Sequence, residues 1–234
     1  MENISKEEIF ERCPYTTKEE WHKLRGKGIG GSDASIILGY SNWTTNNELW
    51  HQKVYGVEKD DSLEDNELVI YGKTAEEPLR ILFQAKFVDV LEVKNTNEVL
   101  VRKDKPYLRA SLDGEISVIN DFVFLSSDEQ EYKLKKGMRG IWENKTAYMP
   151  PKDKWSKKIP MNYYCQILHY LMVTGFDFVI TSVEITYHGG TSLIKHFCYM
   201  RETRKPDLLF LEKKEDEFWD MVKNKIEPPL KVKF

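Results

Sequence analysis

The order in which turn signals and apolar periodicity alternate along this 234-residue chain leaves few architectures open. The first third reads as helices. Residues 5–25 are helical in pattern, with Thr17 and Glu20 in capping-box spacing. A glycine-rich turn from Gly26 to Gly31 follows, and Ser32 or Asp33 can cap a short helix running through Leu38. Residues 46–55 form another short helix, 57–67 an acidic loop, and 72–87 an amphipathic helix with Leu79, Leu82 and Phe83 on one face. Strand signals then dominate. Residues 88–93, 98–102 and 108–119 read as a three-strand meander, 121–137 as a hairpin or flexible insertion, and 140–146 as a fourth strand. Pro160 opens a helix that Gly175 ends at Thr174. Residues 178–187 and 191–200 pair antiparallel about Gly189-Gly190, and 206–225 form a last amphipathic helix. The sum is one α/β (α+β) domain over 1–234, a mixed central sheet flanked by helices, with an insertion at about 120–140.

Composition narrows the setting. No run of about 18 apolar residues exists, so no membrane span is expected. The first eight residues are acidic and lack an apolar stretch, unlike a signal peptide. Cys13, Cys165 and Cys198 are scattered, which speaks for a reducing compartment and against a disulfide framework, a zinc ribbon or a four-cysteine iron–sulfur cluster. The net charge of −3 does not advertise nucleic acid, but its distribution is uneven. Six acids and one lysine fall between Glu58 and Glu67, and nine Lys or Arg with two acids between Lys133 and Lys158. Such a run is most simply a solvated basic loop. Because one of its two acids is Glu143, it also suits a surface that tracks phosphates beside a site.

Glu143 lies thirty residues beyond Asp113, and Lys145 two residues further. Side chains i and i+2 of a strand share a face, so Glu143 and Lys145 point together while Asn144 points away. Two carboxylates can hold a hard cation, and a neighbouring lysine can orient or activate water. The plain reading of the same residues is a solvated ion pair. Gln166 sits in an otherwise apolar helix, on one stripe with Tyr163 and Tyr170. It either satisfies local hydrogen bonds or faces a metal–phosphate site. His169 reads as a core or surface histidine, and His51, His188 and His196 form no zinc-ligand spacing. Gly26, Gly28 and Gly31 match G-x-G-x-x-G but lack a preceding strand, which argues against a dinucleotide site. A nest of amides opening a helix suits an anion instead, with Arg25 and the Ser32 hydroxyl converging on a phosphate, against the plain alternative of a capped turn. Glu76 is a surface helix residue unless its helix lies beside the strands of Asp113 and Glu143.

The series Trp21-His-Lys-Leu-Arg25, Gly-Ile-Gly-Gly-Ser32-Asp-Ala, Tyr71-Gly-Lys-Thr-Ala-Glu76, Ala-Ser-Leu-Asp113-Gly, Glu143-Asn-Lys145 and Tyr-Tyr-Cys-Gln166-Ile-Leu-His-Tyr resembles, in that order, the phage lambda exonuclease family, the YqaJ-like viral recombinases of the PD-(D/E)XK nuclease superfamily. It covers about residues 20–200. The resemblance implies a Mg²⁺-dependent 5′→3′ exonuclease using two ions, with Mn²⁺ able to substitute, that degrades one strand of linear double-stranded DNA and leaves 3′ tails for recombination. It implies Asp113, Glu143 and the Asn144 carbonyl as metal ligands, Lys145 activating water, Glu76 and Gln166 supporting metal and nucleophile, and Arg25 with Ser32 holding a 5′ phosphate. It further implies a toroidal homotrimer, a single-strand annealing protein as partner, and the cytoplasm of a bacterial host. An endonuclease or repair nuclease of the same superfamily is the alternative, and a non-catalytic DNA-binding module a further one. Two departures stand out: the long Asp113–Glu143 interval, and Asn144 where an apolar residue is usual.

Overall fold

The computed structural model describes residues 8–56, 66–151 and 154–231, so the acidic loop expected at 57–67 lies almost wholly outside the described residues. Among the described residues the first element is strand β1, Phe10–Pro14, where a helix was expected. Phe10 is buried and the strand pairs antiparallel with β3, Glu98–Arg102. Pro14 disfavours helix in the residue before it, so helix α1, Lys18–Gly26, starts only at the Thr17 cap. Its capping box is formed, Glu20 N–H on Thr17 and the Glu20 carboxylate on the Thr17 N–H.

Helix α2, Gly31–Ile37, starts one residue before the expected caps. The Asp33 carboxylate reaches back to the Gly30 N–H at 3.0 Å, which makes Gly30 the cap residue. Helix α3 is Asn46–Tyr55, as its spacing predicts. Helix α4, Glu67–Lys86, begins five residues before the predicted start, capped by Asn66. Its opening residues Leu68, Ile70 and Tyr71 are apolar yet exposed, so the periodicity that marks a buried face starts only later. Leu79 and Phe83 are buried there, whereas Leu82 is exposed.

The meander does not form. Strand β2, Leu91–Lys94, pairs with β5, Gly114–Val118, while β3 joins β1 and the short β4, Arg109–Ala110, in a separate three-stranded sheet. Val99, Leu100 and Val101 of β3 are buried in succession, which requires cover on both faces. The expected single strand 108–119 breaks between Ala110 and Gly114. Only glycine fits at 114, because a Cβ would stand 2.9 Å from Val93. The glycine turn lies against β4: Ile29 N–H donates to Tyr107 O at 2.6 Å and Arg109 N–H to Ile29 O at 2.9 Å.

The main sheet has the order β10-β9-β8-β5-β2, with β8 Arg139–Tyr148, β9 Phe178–Thr186 and β10 Ser192–Met200. The β8–β9 pair is parallel and its neighbours antiparallel, so the sheet is mixed. Helix α5, Met161–Thr174, is the crossover between β8 and β9, opened by Pro160 and ended by Gly175 in the left-handed conformation. With α2 and α6, Lys205–Asn224, it packs an apolar cluster including Ile141, Ile167, Leu171 and Leu211 on one face of the sheet. On the other face, Phe83 of α4 packs with Trp142, Phe178 and Ile180.

Residues 120–140 form an ordered hairpin, β6 Phe122–Leu125 and β7 Glu131–Leu134. Phe124 and Leu134 are buried in the α4-side cluster, with the Phe124 and Phe87 ring centroids 5.5 Å apart. Its tip hydrogen-bonds the outer strand β10: Ser127 N–H to His196 O at 2.8 Å, and His196 N–H to Ser127 Oγ at 2.9 Å. The hairpin thus covers backbone groups that an outer strand would otherwise present to another chain. Phe124→Ala is expected to cost about 3 kcal/mol in urea denaturation, the range for emptying a buried aromatic site. A loss under about 1 kcal/mol would show the hairpin to be merely appended.

Candidate active site

β8 carries Glu143 into the interior, fully buried on the face that α5 covers. Lys145 shares that face, its Nζ 2.5 Å from Glu143 Oε1 and 5.1 Å from the centre of the Tyr163 ring. Gln166 of α5 donates from Nε2 to Glu143 Oε1 at 2.8 Å and to the Tyr170 hydroxyl at 2.9 Å. The stripe Tyr163, Gln166, Tyr170 therefore faces the site. Asn144 points to the opposite side, buried, with its Oδ1 unpartnered. Its backbone N–H donates to Asp113 Oδ2 at 2.8 Å, which fixes Asp113 beside β8 across thirty residues of sequence. α4 passes over β8 closely enough that a Cβ on Gly72 would lie 3.1 Å from Thr146 Oγ1. It thereby delivers Glu76 to the same place.

A cavity of about 280 Å³ and a cleft of about 1480 Å³ meet here. Glu76, Asp113, Lys145 and Gln166 line both. Arg25 borders the cavity and Ser32 the cleft, and Arg25 donates from Nη2 to Ser32 Oγ. Two amides of the expected nest are taken from within, the Gly30 N–H by Asp33 and the Ile29 N–H by Tyr107 O. Burial alone would raise Asp33, but Lys53, at 2.8 Å, and Arg25 hold it down to about 2. Glycine at 31 lets α2 approach α5, as a Cβ there would stand 2.4 Å from the Tyr170 ring and 3.0 Å from Gln166 Cγ.

The basic stretch contributes less than its position suggests. Of its described Lys and Arg residues only Lys145 lines the cavity or the cleft. Arg139 is taken up by Glu8 and Glu115. His169 is a core residue, Nδ1 against Glu215 at 2.9 Å and Nε2 donating to Arg109 O at 2.8 Å. Four residues outside the expected ligand and phosphate-binding set also belong to the site. Trp21 donates from Nε1 to Ser111 Oγ at 2.7 Å and carries the Arg25 guanidinium 4.9 Å from its ring centre, a relation readable from i, i+4 on α1. Tyr170 braces Gln166. Tyr15 and Arg109 line the cavity, and Arg109 shares the i, i+2, i+4 alternation of Ser111 and Asp113.

The electrostatics fit a cation. Burial, then Asp113, push Glu143 up to about 8, against the pull of Lys145. Burial and Asp113 likewise raise Glu76 to about 7, and burial raises Asp113. Burial alone would lower Lys145, yet Glu143 and Asp113 raise it. Glu143 Oε2 is buried without a partner. Lys145 brings one positive charge to three carboxylates, and an oxygen-seeking divalent ion would supply more. Among the described residues no three His, Cys, Asp or Glu side chains form a complete cage, so Asp113 and Glu143 would need a backbone carbonyl and water to complete a shell.

The fold is a mixed central sheet flanked by helices. It is similar to that of an alkaline exonuclease (LHK-Exo) from Laribacter hongkongensis, with a TM-score of 0.58 over 90% of this chain and 95% of that one at 13% identity. The same enzyme in complex with dAMP gives the same score and coverage at 15% identity. A model of the YqaJ-like viral recombinase domain matches residues 20–177, and the chain belongs to that family. It is 27% identical over 214 residues to the uncharacterized protein YqaJ of Bacillus subtilis (strain 168). The match takes in 91% of this chain and 59% of that protein's length. Among the described residues no helix is long and apolar enough to cross a membrane.

A folded-state pKa of about 8 means that Glu143 holds its proton more tightly folded than unfolded. Stability of the cation-free protein is then greatest below the unfolded value and is lost as pH rises toward 8. In EDTA, Glu143→Gln should exceed wild type by on the order of 2 kcal/mol at about pH 8.5 and lose that advantage near pH 5. A pH-independent difference in thermal denaturation contradicts this.

Proposed function

We propose that this chain is a Mg²⁺-dependent 5′→3′ exonuclease that degrades one strand of linear duplex DNA and leaves 3′ single-stranded tails. The observation that carries the reading is the meeting of an open cleft and a small cavity at Glu76, Asp113, Lys145 and Gln166. A duplex suits the cleft, and a strand terminus suits the cavity. An endonuclease has no need of the second compartment.

Asp113, Glu143 and the Asn144 carbonyl would hold the cation, with Glu76 beside them. When bound, Mg²⁺ supplies Lewis-acid charge to phosphate oxygens and lowers the pKa of water. The protein's own groups do the rest. Lys145 is held as a cation by its carboxylate neighbours and is fixed by Glu143 and Tyr163, so it orients the attacking water and offsets charge on the phosphate. Gln166 has an amide nitrogen positioned by Glu143 and Tyr170, and it bounds the space the water occupies. Water oxygen bonds to phosphorus, the bond to the 3′ oxygen breaks, and that oxygen takes up a proton. Arg25 and Ser32 would receive the 5′ phosphate and set the direction of travel.

The resemblance extends the proposal to a homotrimer around DNA, a single-strand annealing protein as partner, Mn²⁺ as a substitute ion and the bacterial cytoplasm as its setting. A trimer would scatter light with about three times the 27.6 kDa of one chain. A mass of one chain at working concentration would refute that part alone. Linear 5′-phosphorylated duplex should be digested with Mg²⁺ and spared in EDTA, and closed circular DNA should survive. Lys145→Ala should lower the rate by at least about a hundredfold, by analogy with removing one electrostatic stabiliser. Intact linear DNA with wild type, or equal digestion by the variant, would overturn the reading.

A further inference from the structure

Of the five buried serine and threonine residues described, four are hydrogen-bonded through their hydroxyls. Ser35 Oγ donates to Ser32 O at 3.2 Å and Thr174 Oγ1 to Tyr170 O at 2.8 Å. Ser126 Oγ accepts from the Cys198 N–H at 3.2 Å. Ser182 Oγ accepts from Trp142 Nε1 and meets His196 Nδ1, each at 2.9 Å. The fifth is Thr181 of β9. It has no exposure to solvent, and its Oγ1 has no partner among the described residues.

Thr181 is the register partner of Glu143 in the parallel β8–β9 pair. Val179 and Val183 flank it along β9 and belong, with Ile141 of β8, to the cluster that α5 covers. Strand alternation therefore puts the Thr181 side chain on the same face as Glu143. Its partner on the other side is Phe197 of β10. Of the residues directly beside it on that face, only Glu143 is polar. Glu143 carries an orphan of its own: Oε1 takes Lys145 and Gln166, while Oε2 is buried without a partner. Two unpartnered oxygens thus belong to side chains that are adjacent across strands about 4.8 Å apart. A hydroxyl can donate, whereas a carboxylate only accepts, with two lone pairs on each oxygen. One lone pair of Oε2 can take the hydroxyl and the other a cation. The bland role of Thr181 is that a β-branched residue fits a buried strand. Valine, present on either side, fits as well and buries no orphan hydroxyl.

We propose that Thr181 is a positioning residue of the cation site, its hydroxyl donating to Glu143 Oε2 when the carboxylate holds the ion. The proposal rests on the reading of Asp113 and Glu143 as cation ligands. Lys145 and Gln166 steady one oxygen of Glu143 and Thr181 steadies the other, so the plane of the carboxylate is fixed from both ends. Closing the contact takes a rotation about the Thr181 Cα–Cβ bond from one staggered position to another.

The test uses the full chain as wild type, Thr181→Val, Thr181→Ser and Thr181→Ala. Calorimetry measures Mn²⁺ binding at pH 7, and thermal denaturation in EDTA measures the cation-free fold. Thr181→Val should weaken Mn²⁺ binding by about tenfold, the low end for losing a hydrogen-bond partner of a metal ligand. Its Tm in EDTA should equal or exceed that of wild type, because a buried unpartnered hydroxyl is removed. Thr181→Ser keeps the donor and should bind within about threefold of wild type. Thr181→Ser and Thr181→Ala differ in the hydroxyl alone, and that pair decides the matter if Thr181→Val does not fold. A merely structural role would move Tm and leave Mn²⁺ affinity unchanged. Equal affinity in wild type and the folded variants that lack the hydroxyl, or Thr181→Ser binding as weakly as they do, would overturn the proposal. No saturable binding by wild type would overturn the cation-site reading, and this proposal with it.

Discussion

The structure is organised around the burial of one carboxylate. Glu143 lies in the middle of β8 with no exposure to solvent, where an ion is costly unless it is compensated. One of its oxygens has a lysine and a glutamine amide, and the other has no partner. The surroundings are built to deliver those two groups. The parallel β8–β9 pair requires a crossover, and α5 is that crossover, which brings Gln166 over Glu143. Lys145 arrives by strand alternation alone. Close packing lets the layers approach this far. A Cβ on Gly140 would stand 2.4 Å from the Phe178 ring, and one on Gly31 would stand equally near Tyr170.

The second constraint is how remote segments reach Glu143. Asp113 follows a short strand that the glycine turn pins in place through Ile29. The same contact brings Arg25 and Trp21 to the wall of the cavity. Site and cavity therefore share one support, and the three-stranded sheet of β1, β3 and β4 serves as that support. Beneath it, the buried pair of His169 and Glu215 ties α5 and α6 to β4. Asp33, with Lys53 and the Gly30 amide, closes the turn from the other side.

Much of this was legible in the sequence where a single local rule decided the outcome. The α1 capping box, the Pro160 and Gly175 ends of α5, the limits of α3 and the shared face of Glu143 and Lys145 follow from capping chemistry and strand period. Long-range competition was not legible. Residues 10–14 look helical in isolation, but β3 offers them a partner 84 to 92 residues away. Residues 88–119 carry strand signals throughout, yet nothing local tells β3 to leave its neighbours for another sheet. The packing of the hairpin at 120–140 was not legible either, because its burial comes from Phe87 and β10, far off in sequence. In the site, Glu76 and Gln166 were found by motif, whereas Arg109 and Tyr15 acquire meaning only once β4 and the start of the chain line a common cavity.

We infer that Asp113 and Glu143 form a cation site whose charge deficit is built into the fold. Calorimetric titration of Mn²⁺ and Mg²⁺ into the protein, with Asp113→Asn and a remote control such as Lys205→Ala alongside, tests it most directly. Saturable binding is expected in wild type and in the control, with proton release at pH 7, and loss of that binding in Asp113→Asn. Equal binding in Asp113→Asn, or no saturable binding in wild type, would contradict it.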